Sequence, residues 1–101
     1  VQAGVYSSLI HYFKTLDAMG GNSHDGLKIV DKMKATPTDD IIFGKGTIQP
    51  NGRKLHPAYL FEVKKPEESK YPGDLYHVRA TIPANEAFRP LKDGNCPLAS
   101  G

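Results

Sequence analysis

The sequence predicts an α+β chain in which two helices precede a β-hairpin and a third strand. Apolar residues repeat at helical spacing in the first third of the chain and alternate at strand spacing in its second half. Between the two parts, Pro37 removes a backbone donor and ends helical structure. The 101 residues, 39% hydrophobic and 24% charged, are enough for one small globular unit with a modest core.

The first helix is predicted from Val5 to Met19. Its apolar side chains form one broad stripe, at positions 5, 6, 9, 10, 13 and 16. Gly20 and Gly21 follow, and they are typical of a helix stop because glycine readily takes the left-handed conformation.

The second helix is predicted from Asp25 to Lys34, with Asn22 or Ser23 as its cap. The TPTDD segment that follows is expected to be a crossing loop, since the residue before a proline avoids helical conformation. The side chains expected to face inward from this helix are Leu27, Val30 and Met33.

Two strands are predicted at Gly46–Gln49 and Ala58–Lys64, joined around Pro50-Asn51-Gly52. Asn-Gly takes the positive φ angles that a tight hairpin needs. Alternation in the second strand predicts one buried face, formed by Tyr59, Phe61 and Val63.

The third strand is predicted at Leu75–Ile82, after a polar loop. The side chains expected on one of its faces are Tyr76, Val78, Ala80 and Ile82. The remaining tail is expected to be an extended strap with one short turn around Asn85–Phe88, because prolines at 83, 90 and 97 oppose regular structure.

Charge and motifs exclude several functions. The net charge of +2 is too weak for a typical nucleic-acid binder, and no apolar run approaches the ~20 residues of a membrane span. The Gly44–Thr47 segment, GKGT, lacks the GxxxxGK[ST] pattern of a phosphate loop. The four histidines show no metal-ligand spacing, so no metal and no cofactor are predicted. Asp39 and Asp40 are expected to cap or end a loop.

Three segments carry a family resemblance: AGVYSSLIHYFKTLDAMG at 3–20, KATPTDDIIFGKGTIQPNGRKLHPAYLFEVKKPEE at 34–68 and TIPANEAFRPLKDGNCPL at 81–98. Together they resemble the C-terminal part of periplasmic solute-binding proteins of ABC transporters, in the branched-chain amino acid receptor group. The resemblance covers essentially the whole chain but only the last portion of such a receptor. It therefore implies a fragment of a two-lobed α/β fold.

The resemblance also implies a domain division and a function. Residues 1–43 would belong to one lobe and residues 44–101 to the other, with TPTDDIIF as a crossing between lobes. The full-length receptor would capture a small amino acid, amide or carboxylate in the periplasm and deliver it to an ABC permease, without catalysis. The apolar stripe of the first helix and the Tyr59, Phe61 and Val63 face would pack on elements that this chain does not contain.

Individual residues take their expected roles from the same resemblance. The residues expected at the ligand cleft are Gln2, Ala3, Gly4, Val5 and Tyr6. Tyr6 is equally a candidate core aromatic. Cys96 would pair with a cysteine upstream in a full receptor, whereas in this chain it has no second cysteine and is expected to be a free thiol.

Two other functions remain open at this stage. The chain could be a stand-alone module that associates with a second copy, or with the upstream part of the same receptor. A small enzyme that uses His11, or Asp39 with Asp40, is the third hypothesis, and it requires polar side chains that converge in one pocket.

Overall fold

The computed structural model describes residues 1–97; the last four residues of the predicted strap, 98–101, lie outside the described residues. Within residues 1–97 there are three α-helices, α1 (Gln2–Ala18), α2 (Gly26–Ala35) and α3 (Ala84–Ala87). Its five strands are β1 (Thr38–Asp40), β2 (Gly44–Ile48), β3 (Lys54–Leu55), β4 (Ala58–Val63) and β5 (Tyr76–Ile82). Short 3₁₀ turns occupy Pro66–Glu68 and Leu91–Gly94. The predicted order of helices followed by strands is confirmed.

Helix α1 buries its polar side rather than its apolar stripe. Ser7, His11 and Thr15 are spaced four residues apart, share one side of the helix and are buried. Four of the six residues of the apolar stripe remain exposed, Phe13 with 56% of its surface, and Ile10 and Leu16 are half-buried. The stripe is therefore free to pack on something outside the chain, as the family resemblance implies. The helix ends as predicted, because the amide of Gly21 donates to the Leu16 carbonyl at 2.8 Å with φ of 79°.

Helix α2 differs from its prediction in cap and in buried face. Asp25 is the cap, since its carboxylate accepts a hydrogen bond from the Lys28 amide at 3.1 Å; neither Asn22 nor Ser23 takes this role. Among residues 1–97, Ile29 is the one buried hydrophobic side chain. The prediction for the inward side chains is wrong for two of the three, because α2 buries only a narrow face: Leu27 and Val30 are exposed, and Met33 is half-buried.

The hairpin at Asn51-Gly52 forms with a different partner from the one predicted. Gly52 has φ of 84° and its amide donates to the Gln49 carbonyl at 2.8 Å, which confirms the turn. However, β2 pairs with β3, so the predicted pairing with Ala58–Lys64 is wrong. Pro57 explains the difference, because it lacks a donor and interrupts the strand just after the hairpin.

The predicted crossing loop contains a strand. β1 pairs antiparallel with β2, with Thr38 opposite Gly46 and Asp40 opposite Gly44. The resulting three-stranded sheet has the order β1-β2-β3. Helix α1 lies against β1 and α2 against β2, so the two helices and this sheet form one packed unit.

Strands β4 and β5 form a separate two-stranded ribbon. Phe61 pairs with Val78, but Leu60 pairs with Ala80, so Arg79 is an extra residue and forms a β-bulge. A bulge reverses the alternation of the strand that carries it. The predicted single face of β5 is therefore divided: Tyr76 and Val78 share a face with Phe61, whereas Ala80 and Ile82 share the other with Leu60.

We call the first of these surfaces the aromatic face, and it consists of Tyr59, Phe61, Val63, Tyr76, Val78 and Thr81. Its rings form a continuous cluster, with the Phe61 centroid 6.1 Å from that of Tyr59 and 5.7 Å from that of Tyr76. Every residue of the aromatic face is exposed, so the predicted burial of one face is wrong within this chain. No other described element covers it.

The molecule is more extended than its size requires. Its radius of gyration is 17.0 Å, whereas about 13 Å is typical for 101 residues. Its accessible surface is 7720 Å², and a compact monomer of 11.1 kDa exposes roughly 5,700 Å². The excess is roughly 2,000 Å², and large apolar side chains of α1 and of the ribbon are among those exposed.

Candidate functional site

The predicted ligand residues, Gln2 to Tyr6, occupy the first turns of α1. No side chain caps this helix start, and the first intrahelical bond runs from the Val5 amide to the Val1 carbonyl at 3.2 Å. The amides before Val5 therefore point away from the helix toward solvent or a ligand, with the positive end of the helix dipole behind them. The Tyr6 ring is partly exposed here, so it is not a core side chain of this chain.

A cavity of about 260 Å³ lies beside this helix start. Of the five predicted residues only Gly4 lines it, so the structure does not bring all five to one pocket. Thr38 also lines the cavity; it is buried, and its hydroxyl oxygen has no hydrogen-bond partner within residues 1–97. The other residues lining the cavity come from the first two helices, the β1–β2 turn, the β2–β3 hairpin and the residue after it: Ser7, Ser8, His11, Met33, Phe43, Ile48, Gly52, Lys54 and His56.

A cluster of three polar side chains joins α1 to the sheet at the wall of this cavity. Ser7 donates its hydroxyl proton to Asp40 Oδ2 at 2.6 Å, and Lys54 Nζ donates to the same oxygen at 2.8 Å. Lys54 Nζ also donates to Ser7 Oγ, which closes the triangle. The Asp40 side chain is 2% exposed and that of Lys54 is 19% exposed, so this is a largely buried ion pair.

The second oxygen of Asp40 organises the turn that follows it. Oδ1 accepts hydrogen bonds from the amides of Ile42 and Phe43, at 2.9 and 2.8 Å. Burial alone would raise the pKa of Asp40. The hydrogen bonds from Lys54, Ser7 and these two amides outweigh burial and hold that pKa well below its usual range. Asp40 is therefore charged at neutral pH. It caps the turn that follows it, as expected from the sequence.

The side chains of Ser7, Asp40 and Lys54 are not arranged for catalysis. A serine nucleophile must present its oxygen to a substrate and lose its proton to a base. Ser7 is 2% exposed, and Asp40 already accepts the Ser7 proton together with one from Lys54. Asp39, which the enzyme hypothesis combined with Asp40, is exposed and takes no part in the cluster. Three polar side chains converge, as the enzyme hypothesis required, but their hydrogen-bonding groups are already paired with one another.

Two of the histidines, His11 and His56, serve hydrogen bonding and packing. His11 Nε2 lies 2.9 Å from the Met33 carbonyl oxygen and links the two helices. The His56 ring stands between two phenylalanine rings, 4.1 Å from Phe43 and 5.2 Å from Phe88 by centroid distance. Within residues 1–97, no cluster of histidine, cysteine, aspartate or glutamate side chains could hold a metal ion.

Sequence reasoning missed Ser7 and Lys54 as partners of Asp40. The three residues are 33, 14 and 47 positions apart in pairs, so no local pattern links them. One signal was present: the polar residues Ser7, His11 and Thr15 recur every four positions between the apolar ones, which marks a second helix face with its own partners.

Two solved structures share this fold. A periplasmic binding protein from Burkholderia mallei matches 92% of the chain at 43% identity, with a TM-score of 0.82. A branched chain amino acid ABC transporter periplasmic ligand-binding protein from Burkholderia xenovorans matches 98% of the chain at 38% identity, with a TM-score of 0.87. The chain spans about a quarter of the length of each, 24% and 26%. No family model and no curated protein matches the chain.

The fold and these matches define the class: the chain has the architecture of one part of a two-lobed periplasmic binding protein. Within that class it is similar to the ligand-binding proteins of branched-chain amino acid ABC transporters, and the resemblance predicted from its sequence is confirmed. Both matched proteins are binding proteins rather than enzymes. Helices long and apolar enough to cross a membrane are absent from residues 1–97.

Proposed function

We propose that the chain is the C-terminal fragment of a periplasmic substrate-binding protein, which captures a small amino acid, amide or carboxylate for import by an ABC permease. One observation carries this proposal: 98% of the chain matches a branched chain amino acid ABC transporter periplasmic ligand-binding protein with a TM-score of 0.87. The names of both matched proteins describe binding proteins, which supports a binding role without catalysis.

The mechanism would be closure of two lobes around the ligand. We assign residues 1–43 to one lobe and residues 44–101 to the other, so that the paired strands β1 and β2 lie on either side of the boundary and join the two lobes. Asp40 fixes the turn between these strands through its two amide bonds and ties it to α1 through Ser7. Because the crossing segment is fixed to α1 in this way, a movement of one lobe would be transmitted to the other.

The ligand would meet the start of α1, where Gln2, Ala3, Gly4, Val5 and Tyr6 form one edge of the cleft. Uncapped amides at a helix start attract the carboxylate or carbonyl oxygens of such ligands. The partly exposed Tyr6 ring supplies an apolar wall beside them. The rest of the cleft would come from other parts of the receptor.

A chimera tests this function. The matching quarter of the Burkholderia xenovorans protein is replaced by this chain, and calorimetry measures binding of branched-chain amino acids and small carboxylates. We expect a folded chimera that binds at least one of them. Tyr6→Ala should weaken binding by about tenfold or more. Tyr71→Ala, which changes an exposed tyrosine in the loop between β4 and β5, is the matched control and should not alter affinity.

The chimera has two informative failures. A chimera that does not fold contradicts the assignment of this chain to the receptor fold. A folded chimera that binds equally well with and without Tyr6→Ala contradicts the assignment of the ligand edge alone. The isolated chain should show no heat of binding with the same ligands, because good sites bury ~70–90% of a ligand and one edge cannot.

The second candidate function is a stand-alone module that associates with itself and has no catalytic role. The exposed aromatic face specifically favours it, because six uncharged side chains on one surface need a cover in any stable state.

A further inference from the structure

The hydroxyl of Thr38 distinguishes the cavity beside α1 from an ordinary packing gap. Thr38 is 1% exposed, and its Oγ1 is the one buried side-chain polar atom lining the cavity that has no hydrogen-bond partner within residues 1–97. The Ser8 hydroxyl, which lines the same cavity, donates to the Val5 carbonyl at 2.9 Å. Burying a hydroxyl without a partner costs free energy, so buried polar groups are nearly always hydrogen-bonded. The Thr38 hydroxyl therefore points to a partner inside the cavity.

Lys54 supplies a second polar group in the same cavity. Its ammonium group has three protons, and it donates to two acceptors among the described residues, Ser7 Oγ and Asp40 Oδ2. Thr38 Oγ1 and Lys54 Cε lie 2.8 and 3.2 Å from the point where a Cβ of Gly46 would stand, so they are at most about 6 Å apart. A water spans up to about 6 Å between two partners, and an amide, with its separate oxygen and nitrogen, spans more. One small molecule is therefore able to hydrogen-bond to both side chains.

The charges around the cavity favour an uncharged occupant. Asp40 is charged at neutral pH, and its carboxylate already neutralises the Lys54 ammonium at 2.8 Å. A ligand carboxylate on the third proton of Lys54 would place a second negative charge close to Asp40, where burial weakens screening by water. Phe43 and Ile48 form an apolar part of the wall and offer no counter-charge. The occupant that fits best has an oxygen to accept from Lys54 and carries no charge.

We propose that this cavity binds a small uncharged molecule, whose oxygen accepts a hydrogen bond from Lys54 Nζ and which is also hydrogen-bonded to Thr38 Oγ1. The cavity volume of about 260 Å³ exceeds the ~10–15 Å³ that one water requires and approaches the ~300 Å³ of the smallest ligand pockets. Ordered water and the amide or hydroxyl end of an organic ligand supply the same chemistry. The site lies within this chain and goes beyond the proposed receptor function, so the two proposals can fail independently.

Thr38→Val tests the site by the sign of its effect, because valine keeps the shape of threonine and removes only the hydroxyl. Loss of a hydrogen bond to the occupant should lower the equilibrium constant for folding by about fivefold, as measured by urea unfolding of the 101-residue chain. A hydroxyl without an occupant would give the opposite sign, since a methyl group in its place removes a desolvation cost, and this result would overturn the proposal. Thr47→Val, the same change at an exposed position of β2, is the matched control and should have little effect.

Crystal structures of the unsubstituted chain at neutral pH, with acetamide or with acetate, keep the test decisive if Thr38→Val does not fold. The two probes are nearly equal in size and shape and differ in charge. Electron density within hydrogen-bond distance of both Thr38 Oγ1 and Lys54 Nζ supports the proposal: acetamide there identifies a ligand with an amide end, and water in both crystals identifies water as the occupant. Acetate at this position, or no density beside Thr38, overturns it. A side chain from the rest of the receptor that bonds Thr38 in a structure of the chimera also overturns it, while leaving the receptor function intact.

Discussion

The helix–sheet half, formed by α1, α2 and β1–β3, and the β4–β5 ribbon bury different kinds of side chain. The helix–sheet half buries polar groups, namely Ser7, His11, Thr15, Thr38 and the Asp40 carboxylate. Strands β4 and β5 contain no buried residue, and the ion pair of Glu62 with Arg79 lies on their surface; the largely buried ion pair of Lys64 with Asp74 lies just beyond the strand ends. Yet both regions carry an exposed apolar surface, the stripe of α1 in one and the aromatic face in the other.

The difference shows which contacts are internal to this chain. In the helix–sheet half, directional hydrogen bonds set the position of α1 against the sheet. The apolar side chains of α1 mostly remain exposed, so their burial would come from contacts outside this chain. In the ribbon, backbone pairing sets the structure of the two strands, and the Lys64–Asp74 ion pair closes one end. We therefore expect substitutions to be costly where polar groups are buried in the helix–sheet half and nearly silent among the exposed charges of the ribbon.

The largest effect is expected from Asp40→Ala. Removing one partner of a buried ion pair leaves an uncompensated charge and typically costs 3–5 kcal/mol. We expect about 3 kcal/mol here, at the lower end of that range, because Lys54 keeps 19% exposure and can be partly rehydrated. Urea unfolding followed by circular dichroism measures this change in the free energy of unfolding.

Asp39→Ala is the control for that measurement, since it removes the adjacent but exposed carboxylate. It should change the free energy of unfolding by less than about 0.5 kcal/mol. Equal losses of stability in the two variants would mean that the hydrogen bonds of Asp40 with Ser7 and Lys54 do not hold α1 against the sheet.

The next effect is expected at Gly46, where β1, β2 and β3 approach most closely. A Cβ atom there would overlap the Leu55 carbonyl oxygen and come within 2.8 Å of Thr38 Oγ1, so Gly46→Ala forces the strands apart. Overpacking of this kind costs about 1–3 kcal/mol. The same urea titration should show Gly26→Ala unchanged or slightly stabilised, because its Cβ meets nothing within 4 Å. Tolerance of Gly46→Ala would contradict the close packing of the three strands.

Local signals in the sequence predicted most of the secondary structure. The glycine pair after α1 and the Asn-Gly turn need specific backbone angles that few other residues take, so their roles followed from composition. Strand pairing was harder. The strand at Ala58 was assigned to the wrong partner, because a two-residue strand such as Lys54–Leu55 is too short to produce an alternating pattern.

The bulge at Arg79 and the polar cluster could not be predicted, since both depend on contacts between distant residues. The alternation of β5 is regular in sequence, and only its register with β4 shows where the faces exchange. Likewise Asp40 acquires its role from Lys54 across a hairpin and from Ser7 on a helix. A pair of adjacent aspartates does not by itself show which one is buried.

A smaller effect is expected from acid. The pKa of Asp40 is lower in the folded state than the value of about 3.9 for a free aspartate. Its charge therefore stabilises the fold above about pH 4, and this contribution is lost as pH falls further, by at most about 1.4 kcal/mol per pH unit. The stability difference between the unsubstituted chain and Asp40→Ala should narrow below pH 4. Urea titrations at several pH values measure this difference in the free energy of unfolding. A difference that stays constant below pH 4 would contradict the prediction.

The smallest effect is expected on the charged face of the ribbon, from Glu62→Gln. Hydrogen bonding and charge attraction from Arg79 lower the pKa of Glu62, so the ion pair is formed at neutral pH. Both side chains are more than half exposed, however, and water and salt screen their attraction. The urea midpoint should therefore not change measurably. A loss as large as that of Asp40→Ala would mean that the ribbon, like the helix–sheet half, is held by its charges, and would remove the contrast between the two regions.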